Sequence, residues 1–118
     1  MRDVGRLGEC IAADYLQLAG CTIVRRNYRS GHNEIDLIVR DGACMAFVEV
    51  KTRRSDTFGT AREAVSPAKL KHLRAAARCF VSGLRERYAE FRFDLIAIDI
   101  DTTGGTMMLR HLKGIGQN

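Results

Sequence analysis

Two short runs put charged side chains where a plain strand would keep apolar ones: Glu34-Ile35-Asp36-Leu37-Ile38-Val39 and, past an Asp41-Gly42 turn, Phe47-Val48-Glu49-Val50-Lys51. β-Branched runs joined by Asp-Gly predict a hairpin. With Asp41 and Gly42 as the loop, Arg40 pairs with Ala43, Leu37 with Ala46 and Asp36 with Phe47, and Glu34 stands opposite Glu49. One face is then Ile35, Leu37, Val39, Cys44, Ala46, Val48 and Val50; the other carries Glu34, Asp36, Glu49 and Lys51. A loop one residue longer would mix Asp36 with Val48 and Val50, so the clean apolar face supports this register. Asp36 and Glu49 become diagonal neighbours, with Lys51 two residues on along the same face.

Two carboxylates this close repel each other unless something positive lies between them, and hard oxygen ligands select Mg²⁺ or Mn²⁺ over Zn²⁺. Such an ion polarises a phosphoryl oxygen and lowers the pKa of a bound water, while an adjacent lysine orients that water or neutralises developing charge. The chemistry expected is phosphodiester hydrolysis. A solvated hairpin face is the competing account and would win for a lone Glu-x-Lys. Three charges on one face under a fixed register favour the site.

Asp36 followed by Glu49-Val50-Lys51 on the next strand resembles the PD-(D/E)XK nuclease signature, which shares the restriction-endonuclease-like fold with Holliday-junction resolvases. The wider set is more specific. Gly8-Glu9, Ala12-Ala13-Asp14-Tyr15-Leu16, Arg26-Asn27-Tyr28-Arg29, Glu34 to Ile38, Phe47 to Arg53, Phe58-Gly59, Ala64-Val65 and Lys69 resemble the YraN-type family of uncharacterised bacterial proteins. This resemblance runs from about Gly5 to Asp99. Asn33 stands where the family usually has Gly, and both residues tolerate left-handed backbone. Ile35 replaces the proline of the nuclease signature. Neither change touches a ligand. The resemblance implies that Glu9, from the first helix, completes or supports a metal shell of Asp36, Glu49 and the Val50 carbonyl. Lys51 is then the residue acting on water, and Glu34 hydrogen-bonds behind the ligands or sits at the strand entrance in solvent.

The elements that must position these residues read as a helix from about Asp3 to Ala19, a strand Thr22–Tyr28, hairpin strands Glu34–Arg40 and Cys44–Lys51, a helix Pro67–Arg87 and a strand Phe91–Ile100. An extra C-terminal strand follows over Met107–Leu112, after the turn Thr103-Gly104-Gly105. Ser66-Pro67 is a strong helix start, and Gly20 stops the first helix. The order αβββαβ is that of an α/β, restriction-endonuclease-like core: a mixed central sheet flanked by helices.

In the first helix the 3.6 period gives Val4, Leu7, Ile11, Tyr15 and Leu18 as core stripe and Arg6, Ala13 and Gln17 as outer face, with Glu9 at the boundary beside Gly5, Ala12 and Leu16. In the second, Leu70, Leu73, Ala77, Phe80, Val81 and Leu84 make the stripe. Lys69, at its margin in the first turn, gains nothing from the helix dipole and is read as pointing at a scissile phosphate. Lys71, with Arg53 and Arg54 beyond the hairpin, extends a basic track for a nucleic-acid backbone. His32, His72 and His111 share no ligand spacing and read as surface or turn residues. Asp94 reads as meeting a helix, and Asp99 and Asp101 as turn caps.

The chain has 118 residues, 46% of them hydrophobic, enough for a single domain with one core. A net charge of +5 and a pI near 9.3 favour anionic partners, weakly. Cys10, Cys21, Cys44 and Cys79 show no paired spacing and no apolar leader follows Met1, so a cytoplasmic protein with reduced thiols is expected. No apolar run approaches membrane-spanning length. Gly114–Asn118 and the Arg53–Thr60 loop read as mobile. The resulting expectation is a Mg²⁺- or Mn²⁺-dependent endonuclease on DNA, branched or otherwise structured, with a homodimer as one way for a single-site domain to cut two strands. The alternative is a nucleic-acid-binding module of the same fold with little cleavage activity.

Overall fold

The computed structural model describes residues 4–54, 65–101 and 103–116. Its elements are α1 (Val4–Leu18), β1 (Thr22–Ser30), β2 (Asn33–Asp41), β3 (Cys44–Arg54), α2 (Pro67–Ser82), β4 (Glu90–Asp101) and β5 (Thr106–Leu112). The strands form one mixed sheet in the order β1-β2-β3-β4-β5. Neighbours are antiparallel except β3 and β4, which run parallel and are joined by the crossover carrying α2. This is the expected α/β architecture, consistent with a restriction-endonuclease-like core, with β5 as the additional strand.

Both sheet faces are buried. On one, α1 covers Leu37, Val39, Ala46, Val48, Ile96 and Ile98 with Ala12, Ala13 and Leu16. On the other, α2 lays Leu73, Ala76 and Ala77 over Ile35, Ile38, Met45 and Phe47. The hairpin is thus not apolar on one side and charged on the other: the α2 face is itself apolar along Ile38, Met45 and Phe47, with Asp36 and Glu49 at one end of it.

α1 presents a different face from the one its large residues suggest. Leu7 is 49% and Leu18 90% exposed, whereas Gly8, Ala12, Ala13 and Leu16 are buried. Small residues decide this because the helix lies very close to β3. A Cβ built on Gly8 would fall 1.8 Å from Thr52 Oγ1 and 2.9 Å from Thr52 Cβ. The rotation brings Glu9 nearer to the sheet than a boundary position implies.

Ser66 caps α2, its Oγ accepting from Lys69 N at 3.1 Å, with Pro67 next. The helix stops at Ser82, short of the expected Arg87. Gly83 is the C-cap, its N–H turned back to the carbonyls of Phe80 and Val81. β3 runs further than expected, to Arg54, because β4 keeps pairing with it, Arg53 opposite Asp99 and Arg54 opposite Ile100. Gly114, Ile115 and Gly116, expected as the start of a loose tail, are hydrogen-bonded to Asp94, Phe93 and Arg74. Phe58-Gly59, Ala64 and most of the Arg53–Thr60 loop lie outside the described residues.

Candidate active site

The β2–β3 turn sets the register. Its loop residues are Gly42 and Ala43, closed by Asp41 opposite Cys44, with left-handed backbone at Gly42 (φ 62°). A glycine leading the two-residue loop is the pattern of a II′ turn, which outcompetes Asp41-Gly42 as loop here. The ladder continues with Arg40 opposite Met45 and ends at Leu37 opposite Val48. The expected pairs Arg40/Ala43, Leu37/Ala46, Asp36/Phe47 and Glu34/Glu49 are therefore displaced by two residues. A shift of two conserves faces, so Asp36 and Glu49 still meet, as direct rather than diagonal neighbours one step past the last ladder pair.

At that step β2 parts from β3. Val50 N–H, which a continuing ladder would give to a backbone carbonyl, donates instead to Asp36 Oδ2 at 2.8 Å. On the other side of β2 the β1 ladder pairs Arg26 with Leu37 and Tyr28 with Ile35, and skips Asn27, which is left-handed at φ 51°. Alternation breaks here. Ile35, expected beside Leu37 and Val39, packs under α2 with Ile38 and Phe47 instead. Asp36 and Glu49 occupy the opening this splay creates.

Charge in the opening is short on the positive side. Glu49 is 8% exposed, and burial, then the neighbouring Asp36 charge, push its carboxyl up to about 7. Lys69 Nζ, 3.4 Å from Glu49 Oε2, offsets this only in part. Asp36 is also raised, by burial first and by the Glu34 charge, against the stabilising Val50 N–H. Lys51 follows Glu49 by two residues, on an exposed position of β3. A carboxyl raised by burial and by a neighbouring carboxylate, and only partly offset by Lys69, fits a divalent ion. The donors present are the Asp36 and Glu49 carboxylates and the Val50 main chain, and Mg²⁺ accepts one or two carboxylates while keeping several waters.

The other expected residues divide. Glu9 lines a cavity of about 220 Å³ together with Asp36, on the α1 side of the opening. Among the described residues no three His, Cys, Asp or Glu side chains gather on one point. Glu34 does not face Glu49; it pairs with Arg29, 3.9 Å away at the surface, because the register puts Asp36 in its place. Arg53 is turned inward, its Nε 2.9 Å from Asp99 Oδ1. Asp99 caps no turn; it is fully buried between Arg53 and Arg110, while Asp101 alone caps, accepting from Thr103 and Gly104. Arg54 ends β3 and Lys71 lies exposed on α2. His111, expected at the surface, bridges Tyr15 Oη and the buried Asp94, each at 2.9 Å. Periodicity could not reveal this, since its partners are 96 and 17 residues away in sequence.

A profile described as "Uncharacterised protein family UPF0102" matches residues 8–98. The UPF0102 protein of Mycolicibacterium gilvum is 42% identical over 115 residues, covering 96% of this chain and 93% of that relative. That of Solibacter usitatus is 44% identical over 108 residues, covering 90% and 82%. That of Mycobacterium tuberculosis is 39% identical over 117, covering 96% and 91%. Their names state no activity.

Proposed function

We propose, from the premise that this chain belongs to the UPF0102 family, the YraN-type proteins its motifs resemble, that it is a metal-dependent endonuclease hydrolysing phosphodiester bonds in DNA. One observation carries the reading. Half-buried Asp36 and buried Glu49 meet where β2 leaves β3, short of positive charge, with Lys69 3.4 Å from Glu49 and the Val50 N–H on Asp36. Asp36, Glu49 and the Val50 carbonyl would hold Mg²⁺ or Mn²⁺, and Glu9 would support them across the adjoining cavity. The ion would supply Lewis acidity and a water of lowered pKa. Val50 N–H fixes the Asp36 carboxylate, so one oxygen is oriented before any ligand arrives. Burial of Glu49 excludes competing water from that carboxylate. Lys51, exposed and two residues along β3, orients the attacking water or meets developing charge. Lys69 is the nearest cation to an incoming phosphate.

The same Lys69 favours a second reading. A lysine already paired with Glu49 is a built-in counter-ion, and a domain that relies on it binds nucleic acid without cutting. Both readings make nucleic acid the partner, and a homodimer and a cytoplasmic location go with them. Among the described residues no helix is long and apolar enough to cross a membrane.

Calorimetric Mn²⁺ titration decides between site and solvated hairpin. Wild type should bind, and Asp36→Asn and Glu49→Gln should not; equal binding by all three overturns the metal site. Linear, single-stranded and four-way-junction DNA with Mn²⁺ then separates nuclease from binding module. Lys51→Ala should keep Mn²⁺ and DNA binding and lose cleavage.

A further inference from the structure

The left-handed Asn27 has a directional effect on the edge strand β1. In a regular strand, residues three apart point to opposite faces. Arg26 stands opposite Leu37, whose side chain packs on the α1 face, but Tyr28 stands opposite Ile35, which packs on the α2 face. The alternation therefore reverses across Asn27, and Arg26 and Arg29 both come to the α1 side. They line two adjoining cavities there, about 220 and 400 Å³, which share Arg6, Glu9 and Asn27. The smaller one has Asp36 in its wall. Arg25 is turned away, its guanidinium 5.3 Å from the centre of the Tyr28 ring.

We infer that Arg26 and Arg29, aligned by the left-handed Asn27, form a binding cleft for backbone phosphates of a nucleic acid on the α1 side of the Asp36/Glu49 pair. The inference rests on the nuclease-like reading of that pair and adds to it where the strand lies. Lys69 approaches the pair from α2, on the other face of the sheet, so the cleft gives the polyanion a second anchor across the opening. Glu9, Glu34 and Asp36 share these walls with Arg6, Arg26 and Arg29. Arg26 has no ion-pair partner among the described residues, and Arg29 meets Glu34 only at 3.9 Å in solvent, a contact a phosphate displaces at little cost. Guanidinium groups suit this ligand, since their planar donors match phosphate oxygens. A strand irregularity that re-aims a side chain beside a site is a recurrent device.

The test is the salt dependence of binding to a fluorescein-labelled 20-base-pair duplex, without divalent metal, for the full chain and for Arg26→Ala, Arg29→Ala and Arg25→Ala. Each phosphate contact contributes about 0.9 to the slope of log affinity against log salt. Arg26→Ala and Arg29→Ala should each weaken binding several-fold and flatten the slope by about one; Arg25→Ala should keep the slope, and Arg26→Lys should restore it. Unchanged slopes in Arg26→Ala and Arg29→Ala, an equal loss in Arg25→Ala, or no duplex binding by wild type would each overturn the cleft. Mn²⁺ calorimetry on the same variants keeps the two ideas apart. Wild-type heats with unchanged slopes would sink the cleft alone, and absent heats with the expected slopes would sink the metal site alone.

Discussion

Asp36, half-buried on β2, and Asp94, fully buried on β4, are carboxylates of one sheet, and they are treated in opposite ways. Asp94 accepts from Arg92 through Nε at 2.8 Å and a second nitrogen at 3.1 Å, from His111 at 2.9 Å and from Gly114 N–H at 3.2 Å. Burial alone would raise its pKa, but these donors outweigh it and hold the carboxyl below the usual range. Asp36 has one backbone donor, the Val50 N–H, and burial first, then the Glu34 charge, keep its carboxyl raised. A buried acid saturated with donors holds structure together. One left short of them keeps capacity for a ligand, and that difference marks the functional end of the sheet.

The contrast is most easily broken at Asp94. Asp94→Asn takes the carboxylate from His111 and leaves Arg92 only its 3.2 Å contact with Asp41, and should cost about 3 kcal/mol, read as a lower urea midpoint at constant slope. A loss comparable to a surface substitution would show that the network does not carry the fold.

The opposite sign is expected at Glu49. Its folded pKa of about 7 lies above the unfolded value near 4.5, so between those pH values the folded state binds more protons and metal-free stability falls as pH rises. Glu49→Gln should remove that decline, gaining up to about 3 kcal/mol at pH 8 and nothing near pH 4. Asp94, with its pKa lowered, contributes stability above the usual carboxylate pKa that is lost as pH falls through its folded value. Unfolding curves across pH 3–8 measure both. A wild type equally stable at pH 5 and pH 8 would remove the contrast.

Gly8→Ala probes whether the two regions are separable. The added methyl must push α1 off Thr52, costing about 1–3 kcal/mol. It loosens the Tyr15 contact to His111, yet Asp36 and Glu49 are held within β2 and β3. NMR titration should therefore show Glu49 unmoved; a large shift would tie the site to α1. The smallest effect is expected from Ser66→Ala, about 1 kcal/mol through the lost cap. It frays the turn bearing Lys69, so Glu49 should titrate slightly higher than in wild type.

Much of this was legible in the sequence, for identifiable reasons. Strand and helix types followed from β-branched runs, Ser66-Pro67 and the turn glycines, and the pairing of Asp36 with Glu49 survived a wrong loop assignment because a two-residue slip preserves faces. What stayed hidden depends on distance through space. Gly42 leading its turn, the left-handed Asn27 and the seating of Gly8 on Thr52 are backbone decisions made by neighbours. The 3.6 period in α1 put Leu7 and Leu18 inside, when closeness of approach selected Gly8 and Ala12. Charged residues on strands read as solvent-facing or as ligands, so Asp99 between Arg53 and Arg110 and Asp94 with His111 carried no local signal.

The parallel pairing of β3 with β4 has a consequence for how the molecule is assembled in time. β1, β2 and β3 are joined by two-residue turns and can zip within microseconds, whereas β4 must return across the whole crossover that carries α2 before its ladder begins. Asp36 and Glu49 are brought together by the fast hairpin. Asp94 finds Arg92 locally, but its links to His111 and, through it, to Tyr15 close only when β4 and β5 have docked on the finished meander. The carboxylates that repel each other meet first, in a chain still open to solvent, and the network that locks the sheet arrives last. That order predicts that substitutions at Asp36 and Glu49 change the folding rate, and substitutions at Asp94 the unfolding rate, which stopped-flow chevrons measure.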